Sequence, residues 1–174
     1  GLQGVPQTLR DAKAYGAGSI LVVPGVCNEE VTYDAAWERS ITQIKKAVPL
    51  AKELGVAISI ENVWNNFLLS PLEAARYVDE FNSPRVGWHF DIGNVVVYGW
   101  PEQWIRVLGK RIQRLHLKEY SRTKADKEGR WAGFAGLAPG AMQGRHFAGQ
   151  GALGGEAVEQ LALGIGAQQA VMGV

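Results

Sequence analysis

Short apolar runs alternate along the chain with longer stretches in which apolar residues recur every three or four positions. A short, nearly continuous apolar run is typical of a strand that is buried on both faces of a parallel sheet. Four such runs are present, and the last three lead into Glu61, Asp91 and His116. The pattern therefore predicts strands over residues 19–23, 56–60, 86–91 and 112–115.

The stretches between these runs have the spacing of amphipathic helices. We expect helices over residues 5–15, 34–54, 71–81 and 101–108. Pro49 predicts a kink or an irregular turn in the second helix, and Ser70 with Glu73 predicts a capping box at the start of the third. Strands that alternate with helices predict an α/β fold with a parallel sheet and right-handed crossovers.

The amino-acid composition of the chain changes after Trp131. Gly and Ala dominate residues 132–174, whereas the 6 Trp residues all lie at or before Trp131. We therefore divide the chain into a folded domain, residues 1–131, and an anomalous Gly/Ala-rich tail, residues 132–174. Two interpretations of the tail are open: a gene read in a slipped frame, which we prefer, and a disordered segment.

Charge and composition narrow the function classes. The chain of 174 residues has a formal net charge of +1 and no basic or acidic run, which argues against binding to nucleic acid or to a membrane surface. No apolar stretch approaches the ~20 residues that span a bilayer. Cys27 is the only cysteine, so no internal disulfide can form. These features favour a cytoplasmic protein.

Glu61, Asp91 and His116 carry the strongest chemical signal, because each follows a predicted strand, one strand-and-helix unit after the last. In a barrel of alternating strands and helices, catalytic groups lie at the carboxyl ends of the strands. Two carboxylates and an imidazole suit Mn²⁺, Mg²⁺, Co²⁺ or Zn²⁺ and leave coordination positions open. The alternative is three separate polar residues in loop networks.

The motifs at these strand ends resemble those of a known superfamily. From about Leu9 to Trp131 the chain is similar to the xylose isomerase-like barrels, and within them to sugar and sugar-phosphate isomerases and epimerases related to tagatose 3-epimerase and ribulose-phosphate 3-epimerase. The matching segments are Ile60-Glu61-Asn62, Phe90-Asp91-Ile92-Gly93-Asn94, and His116-Leu117-Lys118-Glu119 with Arg122. The resemblance implies a partial (β/α)8 TIM barrel of about four parallel units.

The resemblance also implies a chemistry. Glu61, Asp91 and His116 would bind a divalent metal ion, Mn²⁺ first, together with a fourth Glu from the last strand of the barrel. Glu61 would act as a catalytic acid and base as well, and Arg122 would hold substrate oxygens. The implied reaction is proton transfer next to the carbonyl of a small sugar or sugar phosphate, through an enediolate.

Other residues receive weaker predictions. Asn94 stands where the family often has a substrate-binding His, and Trp64 forms either an apolar wall of the sugar pocket or part of the core. Lys118 either binds a phosphate or forms a structural ion pair. His89 is predicted to pack or to support a ligand, in preference to binding the metal itself.

The second catalytic carboxylate has no convincing candidate, since Glu156 and Glu159 are the only acids of the tail and neither ends an apolar run. A complete barrel needs about 250 residues, so the chain is expected to be an incomplete, weakly active barrel. The alternatives are a relative of inosose dehydratase or hydroxypyruvate isomerase, and a non-catalytic half-barrel. A half-barrel can form a homo-oligomer to cover its open sheet edges.

Overall fold

The computed structural model describes residues 1–117 and 120–134. All of the predicted tail except residues 132–134 thus lies outside the described residues, as do Lys118, Glu156 and Glu159. The helices and strands, in chain order, are α1 Val5–Ala14, β1 Ser19–Val22, α2 Tyr33–Leu54, β2 Ala57–Glu61, α3 Pro71–Asp79, β3 Val86–Asp91, α4 Ile92–Val96, α5 Pro101–Leu108, β4 Ile112–His116 and α6 Arg122–Glu128.

The four strands form one sheet in the order β1-β2-β3-β4, and every neighbouring pair is parallel. This confirms the predicted α/β class and the partial barrel of about four units. The predicted strands match the observed ones to within one residue at each end. Within the described part of the chain, no helix is both long enough and apolar enough to cross a membrane.

The helix ends follow the local sequence. The backbone N–H of Glu73 donates to the Ser70 hydroxyl, which is the first half of a capping box. The Glu73 carboxylate accepts from the Ser70 hydroxyl and from the backbone N–H of Leu69, one residue before the N-cap. Gly55 ends α2 with φ 71°, a left-handed conformation that favours glycine. Contrary to the prediction of an irregular turn, α2 continues through Pro49.

Two helices were not predicted. The strand β3 ends at Asp91, and the next five residues form the short helix α4. Ser121 caps α6, accepting a hydrogen bond from the backbone N–H of Lys124. Both helices are short, so neither shows the repeated apolar spacing that identifies a helix in a sequence.

The chain forms two compact units. The first contains Gly1–Asp91 and Trp104–His116, and therefore the whole sheet. The second contains Ile92–Gln103 and the described residues from Leu117 onward.

The core of the first unit lies between the sheet and its helices. Ile58, Ile60, Trp88 and Phe90 project from one face of β2 and β3 and are fully buried. The Trp104 ring stacks on Phe90 with their centroids 6.2 Å apart. Each buried side chain of this size contributes about 1.5–3 kcal/mol of transfer free energy, so this face of the sheet supplies much of the stability. The opposite face carries the candidate site.

Candidate active site

Alternation along β2 and β3 places polar side chains on the face of the sheet away from the core. Successive residues of a strand point to opposite faces, so Glu61 lies opposite Ile60, and His89 and Asp91 lie opposite Phe90. Glu61 and His89 are direct partners across the β2–β3 pair. We call this surface, formed by the side chains of Glu61, His89, Asp91 and His116, the polar face.

His116 reaches the polar face because β4 contains one extra residue. Trp88 pairs with Ile112, but the next residue, His89, pairs with Arg114, so Gln113 has no partner of its own. A one-residue shift moves every later side chain to the other face of the sheet. Without this bulge Asp91 would pair with Leu115, and His116 would point towards the helices. The bulge instead makes Asp91 and His116 partners.

Gly87 makes room for the bulged residue. A Cβ atom at Gly87 would overlap the side chain of Gln113, which lies over β3 at this point. The Gln113 side chain is held by Ser59, whose hydroxyl donates to Gln113 Oε1 at 3.2 Å, and by the carbonyl oxygen of Pro84, which accepts from Gln113 Nε2 at 3.0 Å. The bulge is thus anchored to β2 and to the loop that precedes β3.

The three residues predicted at the strand ends, Glu61, Asp91 and His116, lie close together. Nδ1 of His116 is 3.0 Å from Asp91 Oδ2 and 3.3 Å from Glu61 Oε1. Asp91 is fully buried and Glu61 is 9% exposed, whereas the side chain of His116 is 45% exposed. One side of this cluster is therefore inside the protein, and the His116 side is open to solvent.

His89 also belongs to this cluster. Ligand atoms of Glu61, His89 and His116 all lie within 4.8 Å of one another, and the two imidazole rings meet edge to face with centroids 6.0 Å apart. Burial lowers the pKa of His89, although the charge of Glu61 acts in the opposite direction. The sequence carried a signal for this position, because residues 89 and 91 of one strand must share a face.

Asn62 fixes the backbone that carries Asp91. Its Nδ2 donates to the carbonyl oxygen of Asp91 at 2.7 Å, and its Oδ1 accepts from the Asp91 backbone N–H at 2.9 Å. The same oxygen accepts from Trp88 Nε1 at 3.1 Å. In the sequence, Asn62 is marked only as part of the Ile60-Glu61-Asn62 motif, a polar residue directly after a strand-end carboxylate.

The remaining predicted residues lie elsewhere or are not described. Trp64, in the loop after β2, is 45% exposed, so it is not the core residue of the alternative prediction. Asn94 is buried in α4 of the second unit. Arg122, also in the second unit, donates from Nη2 to the carbonyl oxygen of Gly99 at 2.5 Å, and its guanidinium lies 4.2 Å from the Trp100 ring centroid. Lys118 lies outside the described residues.

The donor set of the polar face fits a divalent cation. Carboxylate oxygens and imidazole nitrogens together suit Mg²⁺, Mn²⁺, Co²⁺ and Zn²⁺. A fully buried carboxylate such as Asp91 is costly unless positive charge or hydrogen bonds compensate it, and a cation bound beside His116 would supply that charge. The described residues can therefore hold a metal ion, although they do not identify which one.

Comparison with known proteins bears on the family and the fold. The sequence model of a family described as xylose isomerase-like TIM barrel matches residues 1–173. A relative from Actinoplanes sp., 2-epi-5-epi-valiolone 7-phosphate 2-epimerase, is 29% identical over 104 residues, which are 60% of this chain and 37% of the relative. The match to the family confirms the resemblance that the strand-end motifs indicated.

Solved structures share the fold. A D-tagatose 3-epimerase-like protein superposes with a TM-score of 0.62 and 20% identity, covering 69% of this chain and 48% of that one. A xylose isomerase-like TIM-barrel protein from Mycobacterium smegmatis in complex with magnesium has a TM-score of 0.60 and 18% identity, covering 74% and 48%. D-Psicose 3-epimerase in the presence of D-fructose has a TM-score of 0.60 and 18% identity, covering 68% and 44%. The chain thus spans less than half the length of these relatives.

Proposed function

The chain belongs to the xylose isomerase-like TIM-barrel family, and from that premise we propose that it acts on sugars or sugar phosphates as a divalent-metal-dependent isomerase or epimerase. The observation that carries this proposal is the meeting of Glu61 and Asp91 at one nitrogen of His116, at 3.3 and 3.0 Å. The names of the relatives, which include a sugar-phosphate epimerase and ketose epimerases, support the substrate class.

The proposed metal ligands are Glu61, Asp91 and His116. A bound divalent cation would supply Lewis acidity that stabilises the negative charge of an enediolate. Asn62 holds the main chain of Asp91 through two hydrogen bonds, so the carboxylate keeps its position. Mn²⁺ is our first choice of cation, and the donor set also suits Mg²⁺, Co²⁺ and Zn²⁺.

Glu61 is the proposed acid and base. It would take the proton from the carbon next to the substrate carbonyl, and the electrons of the broken C–H bond would form the C=C bond of the enediolate. Return of the proton to the same face regenerates the substrate, whereas return to the opposite face, by a second group, inverts the carbon. Glu61 is 9% exposed, so its carboxyl group exchanges protons with the solvent slowly.

The proposed substrate-binding residues rest on the sequence. Arg122 and Asn94 are proposed from the family resemblance, Trp64 from its place just after Glu61, and Lys118 from its alternation with His116. Because the chain spans less than half of its relatives and no described residue offers the second carboxylate, we propose that this chain exchanges a substrate proton more readily than it inverts a carbon.

Hydrogen exchange tests the proposal directly. The chain is incubated in D₂O with Mn²⁺ and with D-tagatose, D-fructose, D-ribulose or their phosphates, and loss of the proton next to the carbonyl is followed by NMR. We expect slow exchange that requires the metal and that disappears in Glu61→Gln. Glu53→Gln, an exposed residue of α2, is the matched control and should exchange like the parent. Equal exchange in Glu61→Gln, or none in the parent with any of these sugars, would overturn the proposal.

A further inference from the structure

The polar face holds a second imidazole that the proposed ligand set does not use. We propose that His89 is a further metal ligand, and that with His116 it turns the site towards Co²⁺ and Zn²⁺ and away from Mg²⁺. This inference rests on the proposed function, since it concerns the same cation. It departs from the prediction that His89 packs or supports a ligand.

Distance is the first argument. The ligand atoms of Glu61, His89 and His116 lie within 4.8 Å of one another. Zn²⁺ binds nitrogen and oxygen at about 2.0–2.2 Å, so two of its ligands at a tetrahedral angle lie ~3.4 Å apart. Side-chain rotations that bring the outermost donors closer by roughly 1–1.5 Å therefore place all three atoms on one ion. Glu61 and His89 are already direct partners across β2 and β3, so these rotations need no change in the main chain.

The surroundings of His89 are the second argument. Its strand neighbours Trp88 and Phe90 are fully buried in the core, whereas His89 faces away from that core and is half-buried on the polar face. Within the described residues, neither ring nitrogen of His89 makes a hydrogen bond, and its ring contact is the edge-to-face approach to His116. Packing on the core does not explain the residue, and a hydrogen-bonding role does not explain it either.

Asp91 has a place in this arrangement. Its Oδ2 lies 3.0 Å from Nδ1 of His116. An oxygen and a nitrogen at this separation can bind the same cation, because each would lie about 2.0–2.2 Å from it. Asp91 therefore stays a proposed ligand beside His116, and His89 adds a second nitrogen to the set.

Two nitrogens change the metal preference. Mg²⁺ takes oxygen ligands and keeps several waters, whereas imidazole suits Zn²⁺, Co²⁺ and other transition ions. A set of one imidazole with two carboxylates discriminates weakly between these groups of ions. A set with two imidazoles favours the transition ions, so His89 is the residue expected to set the choice.

The test compares the parent with His89→Phe, which keeps a ring of similar shape and removes both nitrogens. Affinities for Co²⁺, Zn²⁺, Mn²⁺ and Mg²⁺ are measured by calorimetry or by competition with a coloured chelator. We expect His89→Phe to bind Co²⁺ and Zn²⁺ about tenfold more weakly or worse, because loss of a ligand costs at least as much as loss of an outer-shell partner. Mg²⁺ affinity should change much less, and far-UV circular dichroism checks that the variant is folded.

A spectroscopic measurement on the parent makes the test independent of the variant. With Cu²⁺ as a probe, electron spin echo modulation distinguishes one coordinated imidazole from two. Two imidazoles in the parent and one in His89→Phe would support the inference. One imidazole in the parent, or equal Co²⁺ affinity in His89→Phe and the parent, would overturn the inference and leave the proposed function standing. A parent that binds none of these ions would overturn both.

Discussion

The two faces of the sheet are built from the same strands and have opposite contents. On the helix side, Ile58, Ile60, Trp88 and Phe90 are fully buried and apolar. On the polar face the neighbouring positions carry Glu61, His89 and Asp91, with His116 added from β4. A parallel sheet of a complete barrel encloses both faces, so polar groups on one of them need partners among themselves or a ligand.

The difference separates stability from chemistry. Side chains on the helix side contribute through burial, which depends on volume and shape and not on a particular atom. Side chains on the polar face contribute through atoms at defined positions, such as Nδ1 of His116 within 3.3 Å of two carboxylates. Substitutions on the two faces should therefore change different measured quantities, and the following predictions test that separation.

Insertion of one alanine between Leu115 and His116 should have the largest effect, because it moves His116 one position along β4. His116 would turn towards the helices, and the inserted alanine would take its place beside Asp91. We expect Mn²⁺ affinity to fall by ~100-fold or more, at or beyond the upper end for loss of an outer-shell partner. Calorimetric titration with Mn²⁺ measures it.

Gln113→Ala is the control for that insertion. It keeps the register of β4 and removes only the side chain that Ser59 and Pro84 hold. Mn²⁺ affinity should stay within a few-fold of the parent value if the bulge itself positions His116. An equal loss of Mn²⁺ affinity in Gln113→Ala and in the insertion would show that the Gln113 side chain, and not the register of β4, positions the site.

Phe90→Ala and His89→Ala form the sharpest pair, since adjacent residues face opposite sides. Phe90→Ala should reduce the free energy of unfolding by about 3–5 kcal/mol, because it removes a buried ring and leaves a cavity beside Trp104. His89→Ala should reduce it by less than ~1 kcal/mol, as for a residue outside the core. Urea unfolding of both variants measures the difference, and similar losses would contradict the separation of the faces.

Asn62→Leu should affect both quantities, because Asn62 links the core side to the site. The change leaves the Trp88 indole N–H and the Asp91 backbone N–H without their acceptor. We expect a loss of about 1–3 kcal/mol in the free energy of unfolding, and Mn²⁺ affinity reduced ~10–100-fold. Asn62→Asp keeps an oxygen for both donors and should retain more of the stability. If Asn62→Leu changes only one of the two quantities, Asn62 does not couple the faces.

The parts of the fold and of the candidate site that the sequence predicts are those with a signal in a few consecutive residues. The apolar runs identified all four strands, and the capping box identified the start of α3 at Pro71. The strand ends identified Glu61, Asp91 and His116, which the structure brings together. These signals are local in sequence, since period and capping are properties of a few consecutive residues.

The rest depended on contacts between segments that are distant in sequence. The bulge at Gln113 is a feature of the pairing between β3 and β4, and no residue of β4 alone indicates it. Asn62 acquires its role from Trp88 and Asp91, which lie 26 and 29 residues further on. His89 shares a face with Asp91, two positions later in β3, but its approach to Glu61 and His116 depends on the pairing of three strands.

The smallest predicted effect lies away from both faces and serves as a reference. Arg111 donates to Asp79 through Nε and Nη2 at 2.7 and 2.6 Å, and this partner lowers the pKa of the Asp79 carboxyl. The contribution to stability is therefore present above the unfolded pKa of about 3.9 and is lost as the pH falls through the lower folded value. Because the Asp79 side chain is 56% exposed, we expect less than ~1 kcal/mol.

Urea unfolding of the parent and of Asp79→Asn at pH 7 and pH 3 measures this contribution. The parent should be slightly more stable at pH 7, and the difference should shrink at pH 3. Mn²⁺ affinity should be the same in both proteins at pH 7, because Arg111 and Asp79 lie outside the polar face. A difference that grows towards low pH would contradict the assigned direction of the pKa shift.

Equilibrium dialysis with Mn²⁺ tests the central claim most directly, namely that the polar face is a metal site. The parent, Glu61→Gln, Asp91→Asn and His116→Ala are compared with Glu53→Gln as the exposed control. We predict measurable binding by the parent and by Glu53→Gln, and binding reduced at least tenfold in each of the other three, as expected for loss of a ligand or its orienting partner. Binding by Glu61→Gln and His116→Ala that equals that of the parent would show that these residues meet for another reason.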